Sequence, residues 1–232
     1  MKKLFAVICG LLLLSGCVTK NLSTEDRQQI KTLKILPVFV AVDNFKYTSM
    51  TQAWSAGLGA GAGAASGMAA GASTAGTSAL AGAGSVAGTK AGDVATGDIS
   101  RAIRNNMQAH DIDLSKLIRQ SFADRVRQER LFTIVGEGEQ ADAEVEIMVS
   151  QWGLCLKNFS TVLYPVIGAN ASIKRQGSSV WRNFETISVF NDANTIAYLP
   201  EQYATDGEAL RKAFTHVTDL LVNKLVDDLK QP

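Results

Sequence analysis

Ala143-Glu144-Val145-Glu146-Ile147-Met148-Val149 opens in strict alternation of apolar and charged side chains. Successive side chains on a strand point to opposite faces, so this run predicts a strand with one buried and one wet face. It extends through Trp152 to Leu156. Val162 to Lys174 is a second strand, with Ala169, Ala171 and Ile173 on one side, and Val180 to Phe190 returns as its partner. Arg175-Gln176-Gly177-Ser178 between them reads as a hairpin turn, because glycine supplies positive φ. Phe132 to Val135 adds a short strand closed by Gly136 and Gly138, and Lys34 to Val42 an apolar, β-branched one. Pro37 has no N–H to give a ladder, which places it at an edge or near a strand start.

Helices frame these strands. Asp113 reads as the N-cap of a helix whose Leu114, Leu117, Ile118, Phe122 and Val126 recur at helical spacing. Its other face carries Lys116, Arg119, Asp124, Arg125 and Arg127 and reads as a solvated surface, or as one that meets lipid phosphates or a partner. At the C-terminus Thr205 and Glu208 fit a capping box, and Leu210, Phe214, Val217, Leu221, Leu225 and Leu229 mark one apolar face. Asp93 to His110 reads as a weaker helix, with Ile99, Ala102, Ile103 and Met107 as its stripe. The expected fold is α+β: a small two-layer domain of sheet and two amphipathic helices.

Between the first strand and the rest lies an unusual block. No residue from Tyr47 to Thr89 is charged, and most are Gly, Ala, Ser or Thr. Glycines recur every fourth position at Gly59, Gly63, Gly67 and Gly71, then at Gly84, Gly88 and Gly92. That spacing puts small residues on one helix face, where a second backbone can approach closely. Three readings stand: a membrane-inserted helical hairpin, a soluble glycine zipper, or a flexible low-complexity loop. The block is long enough for two spanning helices of about 20 residues each. Its large apolar residues are few, however, so insertion would need packing against other copies, hence a homo-oligomer. Against the loop stands its place, since structureless excursions of roughly 40 residues from a compact domain are uncommon.

The start of the chain gives a location. Met1-Lys2-Lys3 is a basic n-region, and Leu4 to Leu14 is an apolar run too short to span a bilayer. Leu14-Ser15-Gly16-Cys17 resembles the lipobox of bacterial lipoproteins. The resemblance implies that Cys17 becomes a diacylglyceryl cysteine at the mature N-terminus, with its amine acylated as well, typically by palmitate. Val18, in place of an aspartate, implies the outer membrane. The other reading is a plain secretory signal with an incidental cysteine. Lys34 to Val42, Leu114 to Val135 and Ala141-Asp142-Ala143-Glu144-Val145-Glu146-Ile147 together resemble the small α/β modules of periplasmic lipoproteins such as the CsgG (curli secretion) and LpoB (synthase activation) families. A lipid anchor, such a domain and a glycine zipper are together similar to TraT-type surface-exclusion lipoproteins, where the zipper lies later in the chain.

The expected organisation is a signal peptide at 1–16, a tether at 17–32, the α+β domain at 33–46 and 93–232, and the glycine insertion at 47–92. With 23 Lys and Arg against 22 Asp and Glu, there is no basic excess for a phosphate backbone, so nucleic acid is not the expected partner. Once Cys9 leaves with the signal and Cys17 is acylated, Cys155 remains, read as a small buried hydrophobe. A catalytic thiol there would need His110 or His216 as its base. Gly88-Thr89-Lys90 has the wrong order for a phosphate loop, and Gly57-Leu58-Gly59 lacks the strand-to-helix context of a dinucleotide fingerprint. The expectation is a non-enzymatic envelope protein without a cofactor, apart from the lipid on Cys17. It would self-associate as an assembly, transport or surface-exclusion component. The alternative is a monomeric module that binds or activates another envelope protein.

Overall fold

The computed structural model describes residues 19–41, 44–48, 86–157 and 160–231. In chain order these form α1 (Thr24–Gln29), β1 (Thr32–Ile35), β2 (Phe39–Val40), β3 (Phe45–Thr48), α2 (Val86–Ala109), α3 (Leu114–Gln128) and β4 (Thr133–Val135). β5 (Ala143–Leu156), β6 (Leu163–Arg175), β7 (Ser178–Ile187), α4 (Pro200–Thr205) and α5 (Gly207–Leu229) follow. The sheet is mixed, with order β4-β1-β5-β6-β7, and β2 and β3 also pair with β5. β1, β2 and β3 run parallel to β5 one after another, at Leu33 opposite Ala143, Phe39 opposite Met148 and Phe45 opposite Trp152. β6 runs antiparallel along the other edge of β5, and β7 antiparallel to β6.

The alternation in β5 holds from Ala143 to Val149, whose odd-numbered side chains are buried. A bulge then inserts Ser150, because Val149 faces Ala169 while Gln151 faces Gly168. One extra residue exchanges the two faces of a strand. Trp152 and Leu154 therefore point into the same core as Val145 and Ile147. There the Trp152 ring meets Phe45 edge-on, with centroids 4.8 Å apart, and Phe214 of α5 at 5.9 Å. Its indole N–H donates to the Ala41 carbonyl at 3.0 Å. At Gly153 the β3 backbone comes so close that an added Cβ would meet the Lys46 carbonyl oxygen.

The helices cover one face of the sheet. Leu210, Phe214, Val217, Leu221, Leu225 and Leu229 of α5 are fully buried, each contributing about 1.5–3 kcal/mol of transfer free energy. Leu114, Ile118, Phe122 and Val126 of α3 join them, and Asp113 caps that helix through the Ser115 and Lys116 amides. The basic face of α3 is solvated and paired with acids, Arg119 with Glu137 at 2.6 Å and Arg127 with Asp124 at 3.1 Å. The turn at Gln176-Gly177 has positive φ at both residues, 50° and 79°.

Four expectations need correction. The stretch read as a tether is built into the fold from Lys20 onward. Lys20 bridges antiparallel to Arg182 on β7, Ser23 caps α1, and Leu22 and Ile30 are 1% and 2% exposed. Two isolated apolar residues flanking a capped turn were enough to dock it on the core. The strand read at Lys34 to Val42 is broken: pairing stops after Ile35 and resumes at Phe39, because Pro37 has no amide to give. The cap of α5 is Asp206, whose carboxylate accepts from the Glu208 and Ala209 amides, while the Thr205 hydroxyl donates back to the Glu201 carbonyl within α4. Finally, α2 begins at Val86, so one helix runs across the boundary read at 92/93.

Asp142 fixes the start of β1. Its carboxylate accepts from the Lys31 and Thr32 amides and the Thr32 hydroxyl at 2.8–2.9 Å. These bonds favour the charged form and hold its pKa below the usual carboxylate value. The stabilisation is therefore present at neutral pH and fades as pH falls through that depressed value. Asp142→Ala should lower the melting temperature at pH 7 by a few degrees, and the gap to the parent should close in acid. Phe214→Ala should cost about 3–5 kcal/mol in denaturant unfolding at any pH, as a buried aromatic truncation does.

Candidate functional site

On the face of the sheet away from the helices, β5 presents Glu144, Glu146 and Met148 in succession. Register extends each into a row. Glu144 lies between Lys34 and Lys174, and Glu146 beside Ser172 and, beyond it, Arg182. Met148 lies between Phe39 of β2 and Asn170 of β6, and Asn170 lies beside Phe184 of β7. The charged rows neutralise themselves, with Lys34 3.9 Å from Glu144 and Lys174 2.6 Å from Glu146. The third row is apolar apart from Asn170 and open to solvent: Phe39 is 61% exposed, Met148 47% and Phe184 48%. Phe39 and Met148 on adjacent strands, with Phe184 beyond Asn170, form an exposed contact surface rather than a core.

Past this row the face becomes tight and polar. The Gln151 side chain and the Thr186 hydroxyl lie over Gly168, where a Cβ would sit about 3.0–3.1 Å from both. Cys155 is half-buried rather than fully enclosed, in register with Thr48 and Tyr164. His110 and His216 belong to the helix layer on the other side of the sheet, so the structure does not bring them to this thiol. His216 shares a hydrogen bond of 3.0 Å with the Ala193 carbonyl. It borders an open groove of about 450 Å³ along α5, lined by Glu208, Arg211, Lys212 and Asp219, with Ile196 opposite. Among the described residues no group of three His, Cys, Asp or Glu is placed to hold a metal ion.

The titratable groups that are shifted serve packing. Burial pushes the Tyr203 phenol well above its usual value, and its hydroxyl donates to the Leu163 carbonyl at 3.0 Å. Asp227 is held low by its bond to Lys230, and that ammonium is held high in return. With Arg125 and Glu129 they tie α3 to the end of α5.

Cys17, Gly59, Gly63, Gly67, Gly71 and Gly84 lie outside the described residues. Gly88 and Gly92 lie on the first turns of α2, four apart and so on one side of it. No helix among the described residues is long and apolar enough to cross a membrane. The apolar row is what the sequence reading missed. Its signal was Met148, the third residue on the wet side of β5 after Glu144 and Glu146.

No protein-family model matches the chain, and no curated protein does. Solved structures do resemble it. A PelC dodecamer from Paraburkholderia phytofirmans is 15% identical, with TM-score 0.35 over 52% of this chain and 78% of that one. Lipoprotein GNA1162 from Neisseria meningitidis is 11% identical, with TM-score 0.26 over 85% and 99%. Protein CT253 from Chlamydia trachomatis is 9% identical, with TM-score 0.33 over 87% and 98%.

Because Phe184 is solvated and contributes little to the core, Phe184→Thr should change unfolding free energy by no more than about 0.5 kcal/mol. A loss comparable to that of a core truncation would show that this face is packed within the monomer.

Proposed function

We propose that this chain is a lipid-anchored, non-enzymatic protein of the bacterial cell envelope, held in the outer membrane through Cys17. It self-associates through its glycine block, as an assembly, transport or surface-exclusion component. One observation carries the self-association. The elements that flank the undescribed part of the block, β3 before it and α2 after it, pack against each other. β3 is hydrogen-bonded to β5, and Ile103 and Met107 of α2 are buried in the core. Both flanks of the block are thus fixed to one domain, as an insertion within it requires. A linker between two bodies would have no such constraint.

The chemistry of the block then favours contact between copies. Glycine and alanine gain little by leaving water, whereas faces of small residues gain by close packing against one another. Gly88 and Gly92 continue the four-residue spacing into a helix that the structure describes.

The detergent-extracted full-length protein should have a native mass several times that of one chain, and Gly63→Leu with Gly67→Leu should reduce it. A single-chain mass for the parent would favour the monomeric interaction module instead. Cys17→Ala should abolish acylation and release the protein from the membrane fraction. Unchanged retention of that variant would contradict the anchor.

A further inference from the structure

The segment that follows Cys17 is very short. Lys20 is hydrogen-bonded to the free edge of β7, its N–H to the Arg182 carbonyl at 2.8 Å and its carbonyl from the Arg182 N–H at 2.9 Å. The Lys20 ammonium also donates to the Ser179 carbonyl at 2.6 Å. Two residues further on, Leu22 is in the core. Three residues of extended chain reach at most about 11 Å. An acyl group on Cys17 therefore holds the β7 edge within about that distance of the lipid surface, with no slack for the domain to stand away.

The side of β7 that faces the helices is closed. The Trp181 indole donates to Asp228 at 2.8 Å, and Glu185 lies 3.7 Å from Lys224, both on α5. Arg182 points to the opposite, open face, and its guanidinium makes no ion pair among the described residues. Phe184 follows on the same face, about 7 Å along the strand. From Phe184 the row crosses Asn170 of β6 and Met148 of β5 to Phe39, about 14 Å at the usual strand spacing.

We infer that this open face docks on the membrane that holds the anchor. Phe184, Met148 and Phe39 would enter the boundary between headgroups and acyl chains, and Arg182 would reach the lipid phosphates. Aromatic and thioether side chains beside a cation are what that boundary accepts. The glutamates of the face are already neutralised by Lys34 and Lys174. The inference rests on acylation of Cys17, since without it nothing keeps this face near lipid.

Hydroxyl-radical footprinting tests it on the native side chains. The acylated protein is reconstituted in vesicles of phosphatidylethanolamine with a minority of phosphatidylglycerol, and compared with the same chain produced from residue 18 in solution. Oxidation of Met148, Phe184 and Phe39 should fall severalfold on the vesicles, while His110, exposed in the helix layer, should react equally in both. Phe39→Asp with Phe184→Asp should float with the vesicles but restore oxidation of Met148. Protection that persists in that variant would mean that another protein surface covers the row, and would overturn the inference. The N-terminal peptide mass separates the two failures. A peptide without acyl chains, in a protein that does not float, overturns the anchor and the docking together. An acylated, floating protein with Met148 fully reactive overturns the docking alone.

Discussion

β5 hydrogen-bonds along both edges, to β6 over its whole length and to β1, β2 and β3 in turn along the other side. The rest of the domain depends on this strand. It gathers three short segments from the first part of the chain, none of which has enough ladder to persist alone, and holds them in register. The bulge at Ser150 lets one strand serve a single core throughout. Without the extra residue, Gln151 and Gly153 would face α5, and Trp152 and Leu154 would face water. Asp142, just ahead of β5, holds the start of β1 by three hydrogen bonds, so the same turn fixes both strands.

With the helices on one face of the sheet, no helix among the described residues covers the other. The charged rows on that face satisfy one another, and the apolar row at Phe39, Met148 and Phe184 has no partner of its own kind in the described residues. At the β7 edge of the face the chain emerges toward Cys17. The stretch before β1 is folded into the domain, through Lys20, Leu22, the capped α1 and Ile30. The elements on either side of the glycine block, β3 and α2, are likewise part of the domain.

Elements defined by local pattern were legible in the sequence. The alternation of β5, the turn at Gln176-Gly177, the cap at Asp113 and the apolar stripe of α5 all stand where their spacing put them. What escaped depends on contacts distant in sequence. The broken pairing of β1 and β2 follows from Pro37 meeting a ladder supplied more than a hundred residues later. The polar stretch before Thr32 gave no periodic signal, since only Leu22 and Ile30 carry its burial. The cap at Asp206 lost to Thr205 because the short helix α4, started by Pro200, was not expected to end so close to α5. Of the candidate site, Met148 was visible as an exception to the wet face of β5. Phe39 and Phe184 join it only through the register of three other strand pairs.

The central claim is that the chain is part of the domain from Lys20 onward, leaving almost no tether. Amide hydrogen exchange on the full-length protein tests it at two sites. The account predicts that the Lys20 and Arg182 amides, each bonded to the other's carbonyl, exchange far more slowly than unstructured amides and open together with the β7 edge. Exchange of both at unprotected rates, while the amides of β5 and β6 stay protected, would contradict it: the segment would then be a loose tether.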